Sequence, residues 1–143
     1  MQHPSSAAKL LGYAGLIPFV ALSTFPLIFS DPNYKEIVFF GLLAYGVTII
    51  SFLGAIHWGL AMQQNTPNPF LLMWGVIPSL LGWISLLAGS VSGLILVAAT
   101  LWLCFLVDYK IYPKFGLTHW LLMRFTLTAV ASIFIGLSVI FFK

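Results

Sequence analysis

From Ile37 to Val107 the chain runs 71 residues without a single Asp, Glu, Lys or Arg. Charged residues make up only 6% of the whole, where a soluble domain carries roughly a quarter. A chain this poor in charge has no means of covering a water-facing surface, and the uncharged run is too long for any soluble core element. It must hold several membrane spans. Cysteine is nearly absent too. Cys104 stands alone in an apolar run, which excludes an internal disulfide and any cysteine-based metal knuckle. The net charge of +3 reflects scarcity rather than a basic patch, so a nucleic-acid partner is not expected. Walker, Rossmann and HExxH motifs are all missing. Ser51, Ser79 and Ser85 lack a G-x-S-x-G setting, and no pair of carboxylates offers acid–base chemistry. No catalytic residue is assigned and no enzyme is indicated.

What the chain has in abundance is grease: 61% hydrophobic residues and a mean hydropathy of +1.06. At 143 residues there is room for one membrane domain. Five spans account for it, at about residues 10–29, 37–62, 70–88, 91–107 and 120–142. The breaks between them are "SDPNYKE", "QQNTPNP", the tight "GSVSG" and the polar "DYKIYPKFGLTH", all rich in turn residues. None of the runs alternates with period two, so these spans are helices and not barrel strands. The expected fold is all-α, a polytopic bundle of about five transmembrane helices. The first apolar stretch runs about twenty residues, beyond the ~7–15 of a signal-peptide core. It is taken as an uncleaved span.

With five spans, Lys9, Lys110, Lys114 and Arg124 fall on one side, and Lys35 and Lys143 on the other. That bias predicts a cytoplasmic N-terminus. It also gathers polar residues in one leaflet. His57 lies six residues before Gln63 and so sits ~9 Å below the end of the second span. Asp108 ends the fourth span on the same side, and Arg124 enters the fifth from it. Tyr13 lies one turn into the first span from that side, and Trp74 one turn into the third. Asp108 is the natural counter-charge for Arg124, since an unpaired Arg in a membrane helix costs ~2.5–3.5 kcal/mol at the centre. The expected cluster is Tyr13, His57, Trp58, Gln63, Trp74, Asp108 and Arg124, with Trp58 as a possible pocket wall and His57, Tyr13 and Gln63 completing a hydrogen-bonded cap. Its blander reading is an ion pair and a structural hydrogen bond between helices. Metal ligation needs partners that the spacing does not supply, so no metal site is expected. No cofactor is called for, and quinone and haem both remain open.

Helical phase sharpens the picture of the second span. Gly46, Ile50, Leu53, Gly54 and Ala61 lie within roughly 60° of His57, while Thr48, Ala55 and Gly59 face the other way. Small residues on both faces suit a central helix with close neighbours. On the fifth span Arg124 shares a face with Thr128, Ala131 and Ser138, which turns it inward. Pro18 and Pro78, inside the first and third spans, are expected to kink them.

The segments "LGYAGLIPF", "YGVTIISFLGAIHWGLA", "PSLLGW" and "LMRFTLT", with Asp108 between the last two, follow one order along nearly the whole chain. Together they resemble the uncharacterised multi-pass family that includes transmembrane protein 69, found in bacteria and in mitochondria. The positions that carry the likeness are Gly12, Pro18, Gly54, His57, Trp58, Pro78, Asp108, Arg124 and Thr128. The resemblance implies an integral inner-membrane protein of about five helices and brings no activity, substrate or cofactor with it. Mitochondrial members bear a presequence that is missing here, so a bacterial inner membrane is the expected location. Two functions from different classes follow. The first is a non-enzymatic accessory or assembly factor packed against a larger inner-membrane complex. The second is an inner-leaflet site for a quinone or lipid headgroup, or a proton or solute conduit, built around His57, Asp108 and Arg124.

Overall fold

The computed structural model describes residues 3–29 and 31–141. Among these there is no strand, and five helical segments are long and apolar enough to cross a membrane. Phe142 and Lys143, the end of the fifth expected span and one of its flanking cations, lie outside the described residues.

The first span, Ser6–Ile28, is two helices rather than one: α1 (Ser6–Ala14) and α2 (Ile17–Ile28). Ser5 caps α1, its hydroxyl accepting from Ala8 N at 3.2 Å. The break falls at Gly15 and Leu16, and Pro18 follows in the first turn of α2, where its missing N–H costs nothing. The expected kink at Pro18 is therefore a helix start. The Gly15 carbonyl exposed by the break accepts a hydrogen bond from the Tyr45 hydroxyl at 2.8 Å.

Helix α3 (Pro32–Met62) begins at Pro32 and not at Ile37. "DPN" is a cap instead of a loop: the Asp31 carboxylate accepts from Asn33 N at 2.9 Å and Pro32 occupies the first helical turn. At 31 residues this helix is about 46 Å long, well beyond the ~30 Å hydrocarbon. The same device starts α4 (Pro69–Ala88), where Asn68 accepts from Phe70 N at 2.9 Å ahead of Pro69. Pro78 lies inside α4 and packs beside Gly54. A turn at Gly89, with φ of 58°, leads into α5 (Ser90–Ile111).

The fourth span was expected to end near Val107. Instead α5 runs to Ile111 and continues as a 3-10 turn, Tyr112–Phe115, so the spanning segment is Val91–Phe115. Asp108 is thus inside the helix and not at its end. A second 3-10 turn, Thr118–Trp120, leads into α6 (Leu121–Phe141).

Helix α3 is central, packed against α2, α4 and α5. Its closest approach is to α4, where a Cβ on Gly54 would come within 2.6 Å of the Gly75 carbonyl. Only glycine admits that contact. Leu42, Leu43, Ile50, Leu94, Val97 and Ile135 form the dry interior around it. At the end away from Gln63, Ser138 of α6 donates to Ser23 of α2 at 2.9 Å. Large apolar side chains such as Leu10, Phe52, Trp83 and Leu122 point outward, as lipid contact requires.

Candidate functional site

Three helices converge on one polar centre. Helix α5 and the 3-10 turn that continues it present Cys104, Asp108 and Tyr112 at four-residue spacing, hence on one face. All three are buried. Helix α6 enters with Arg124 in its first turn, Thr128 one turn further in. Helix α3 brings His57, whose side chain is fully buried.

The Arg124 Nε donates to Asp108 Oδ2 at 2.7 Å, a charge-assisted bond between buried groups. The other carboxylate oxygen, Oδ1, faces His57 Nε2 at 3.4 Å. The opposite imidazole nitrogen, Nδ1, lies 3.3 Å from the carbonyl of Leu53, one turn back on α3. The ring is boxed by the edge of Trp74, centroids 6.4 Å apart, and by Tyr112 at 6.2 Å. Tyr112 and Arg124 also line one cavity together.

The geometry leaves particular atoms without partners. Among the described residues, His57 Nε2, Asp108 Oδ1, Arg124 Nη2, Thr128 Oγ1, Trp74 Nε1 and Ser132 Oγ are buried and make no hydrogen bond. Native interiors satisfy nearly all such groups with protein or ordered water. Arg124 borders two cavities. The larger, about 640 Å³, is walled by Leu53, Leu60, Tyr112, Met123 and Leu127, with Gln63 and Trp120 also on its lining. The smaller, about 140 Å³, lies between Gly15, Phe19, Leu53 and Thr128. No group of three His, Cys, Asp or Glu able to hold a metal ion occurs among the described residues.

Of the residues singled out from sequence, His57, Trp74, Asp108 and Arg124 are brought together. Tyr13, Trp58 and Gln63 are not part of that contact. Trp58 follows His57 by one residue, 100° around the helix, and cannot share its direction. It is 44% exposed, covers Gly75 and donates from Nε1 to the Leu72 carbonyl at 2.8 Å, so it clamps α3 to α4 instead of walling the polar centre. Tyr13 is exposed, because α1 turns the adjacent Gly12 toward Met123 of α6. Gln63, the C-cap of α3, is set about 120° around the helix from His57, and it lines the larger cavity. Two contributors were not anticipated, Tyr112 and the Leu53 carbonyl. Tyr112 was hidden by taking residues 108–119 as a loop; the 104–108–112 spacing was its available signal.

Residues 4–140 match the sequence profile of a family described as "Protein of unknown function (DUF3429)". Transmembrane protein 69 of Xenopus tropicalis is 42% identical over 84 residues, covering 56% of this chain and 32% of the relative. Transmembrane protein 69 of Mus musculus is 30% identical over 82 residues, covering 49% of this chain and 33% of the relative. The chain spans about a third of the length of these curated relatives. No solved structure matches it.

Proposed function

The chain belongs to the DUF3429 family of membrane proteins, and from that premise we propose that it is a membrane-embedded binding protein for an amphiphile. The observation that carries this reading is Arg124. Its Nε is committed to Asp108 while Nη2 has no partner, and the side chain borders an apolar cavity of about 640 Å³. Small-molecule sites have this character: ~300–1,000 Å³, mostly apolar, with a few fixed polar groups. The aliphatic wall of Leu53, Leu60 and Leu127 suits an acyl or isoprenoid tail, and Arg124 with Tyr112 suits an oxygen-bearing head. Asp108 and His57 act as the support that holds the guanidinium in place. We propose that the end of the bundle carrying this site lies in the cytoplasmic leaflet of a bacterial inner membrane; the positive-inside bias of Lys9, Lys110 and Lys114 supports that orientation.

The test is extraction. Protein purified in mild detergent is denatured in organic solvent and the released lipids are identified by mass spectrometry. Wild type should carry a stoichiometric amphiphile, and Leu127→Trp, which fills the cavity without touching the ion pair, should lose it. Equal lipid content in the two proteins would refute the reading.

A second reading, an accessory or assembly factor for a larger membrane complex, is favoured by the first span. Leu10 and Leu11 are each 72% exposed, and α1 touches the bundle chiefly through Gly12 and Met123. Such a loosely held helix offers a face to a neighbouring membrane protein. Purification that yields only monomer or homo-oligomer, with no other subunit by mass spectrometry, would count against it.

A further inference from the structure

We infer that the two cavities beside Arg124 are one blind slot, whose floor at Ala131 and Leu101 selects the occupant by the length of a single linear tail. The inference rests on the amphiphile reading above and adds specificity-determining positions to it. It comes from the order in which the cavity walls follow the helices.

The larger and smaller cavities share Leu11, Gly12, Phe52, Leu53, Arg124 and Leu127 on their linings. These residues form a waist, and on every helix the walls step past it in the same direction. On α3 the larger cavity touches Leu60 and Ile56, the smaller one Ile49. On α6 the lining passes from Met123 to Ala131, on the first span from Ala8 to Phe19, and on α5 from Tyr112 back to Leu101. Helices α3 and α5 end where α1 and α6 begin, so all four steps lead from the Gln63 end of the bundle toward its middle. From Gln63 to Ile49 the slot follows about 21 Å of α3. One leaflet of the ~30 Å hydrocarbon gives a lipid tail about 15 Å, so the slot is long enough to house one.

The deep end is closed. Phe19, Leu101 and Ala131 are buried in the same packed core as Ile135, one turn below Ala131. Beyond them the Ser138–Ser23 hydrogen bond at 2.9 Å ties α6 to α2. The inner chamber holds about 140 Å³, against about 640 Å³ outside the waist. Apart from Arg124 at the waist and Thr128, whose hydroxyl is buried out of reach, its lining is apolar. A polar head finds no partner there, whereas Gln63, Tyr112 and Trp120 line the outer chamber. The head therefore sits outside the waist and the tail runs inward. Leu11 and Phe52 border both chambers and are 72% and 63% exposed, which opens the side of the slot to lipid and gives the tail its entrance.

A tail entering from the membrane exchanges one hydrocarbon surrounding for another, so an added methylene gains nothing by leaving water. Packing decides instead. A tail that ends short of the floor leaves a void. One that is too long must buckle back through the side opening and loses its contacts. Binding therefore peaks at one chain length, which the floor sets.

The experiment titrates the full-length protein in neutral detergent with linear monoacylglycerols, from decanoyl to eicosanoyl, at equal mole fraction in the micelle. Bound ligand is read by native mass spectrometry. Wild type should prefer one length, with members roughly four carbons longer or shorter bound about fivefold or more weakly. Ala131→Leu fills the floor and should move the optimum about three carbons shorter; Leu101→Ala empties it and should move the optimum about three carbons longer. Opposite shifts are not what a general loss of stability gives, and Leu101→Ala decides alone if Ala131→Leu does not fold. Ile133→Ala, 59% exposed on the lipid side of α6, should leave the optimum in place. Binding by wild type that is independent of chain length, or an optimum that the floor variants do not move, would overturn the inference and leave the amphiphile reading standing. Failure of every member of the series to bind would overturn both.

Discussion

His57 Nε2 and Asp108 Oδ1 face each other across 3.4 Å in the interior of the bundle, while the same carboxylate holds Arg124 through its second oxygen at 2.7 Å. One carboxylate thus organises two helices around a third. Helices α3 and α6 both depend on Asp108 of α5 for the placement of their polar side chains, and that placement sets the Arg124 guanidinium at the cavity.

Truncating the shared partner should be severe. Asp108→Ala leaves a buried guanidinium with no counter-charge, which costs about 3–5 kcal/mol. Asp108→Asn, which keeps a hydrogen-bonding oxygen for Arg124 Nε, should cost visibly less. Thermal unfolding in detergent, followed by intrinsic tryptophan fluorescence, ranks the two; identical melting temperatures would contradict this account of the carboxylate.

The approach of α3 to α4 should tolerate no side chain. In Gly54→Ala the new Cβ would lie 2.6 Å from the Gly75 carbonyl and 3.1 Å from Pro78, both rigid. Overpacking of that kind costs about 1–3 kcal/mol. Gly59→Ala, on the same helix with nothing within 4 Å of the added carbon, should instead be neutral or stabilising. Paired unfolding measurements on the two variants check the contrast.

Trp58 should matter for stability and not for binding. Trp58→Phe removes the bond to the Leu72 carbonyl at 2.8 Å, worth about 1 kcal/mol. Its retention of bound amphiphile should equal that of wild type, because the indole points away from His57. Loss of ligand in Trp58→Phe at unchanged stability would place the tryptophan in the site after all.

The interruption of the first span should be held by one hydroxyl. Tyr45→Phe removes the donor to the Gly15 carbonyl at 2.8 Å and should cost about 1 kcal/mol. The loss is local, so hydrogen exchange in α1, residues 6–14, should accelerate while that in α3 stays slow.

The membrane fold was legible because lipid imposes a simple rule: apolar runs of about twenty residues are helices, and the described residues hold five such spans. The inward faces of α3 and α6 were legible for the same reason, since small and polar residues recur there with helical phase. Helix starts were harder. "DPN" and "NPF" read equally well as turns, and only the capping bonds of Asp31 and Asn68 reveal that the helices begin there. His57, Asp108 and Arg124 could be grouped from topology alone, which fixes depth. Topology does not fix azimuth, and azimuth is why Trp58 turns to α4 and Gln63 lines the cavity without joining the polar centre. Tyr112 was missed because a lysine- and proline-bearing stretch looked too polar to continue a helix. Asp108 extends α5 by pairing inward with Arg124, while Lys110 turns outward.

The most direct test of an amphiphile beside Arg124 is photo-crosslinking in reconstituted bilayers. A fatty acid carrying a diazirine in mid-chain is added, irradiated and mapped on the protein by peptide mass spectrometry. The account predicts adducts concentrated on Leu53, Ile56, Leu60 and Leu127, competed by excess oleate and absent from Leu127→Trp. Adducts spread evenly over lipid-facing residues such as Trp83, Leu122 and Ile133, with no competition by oleate, would contradict it.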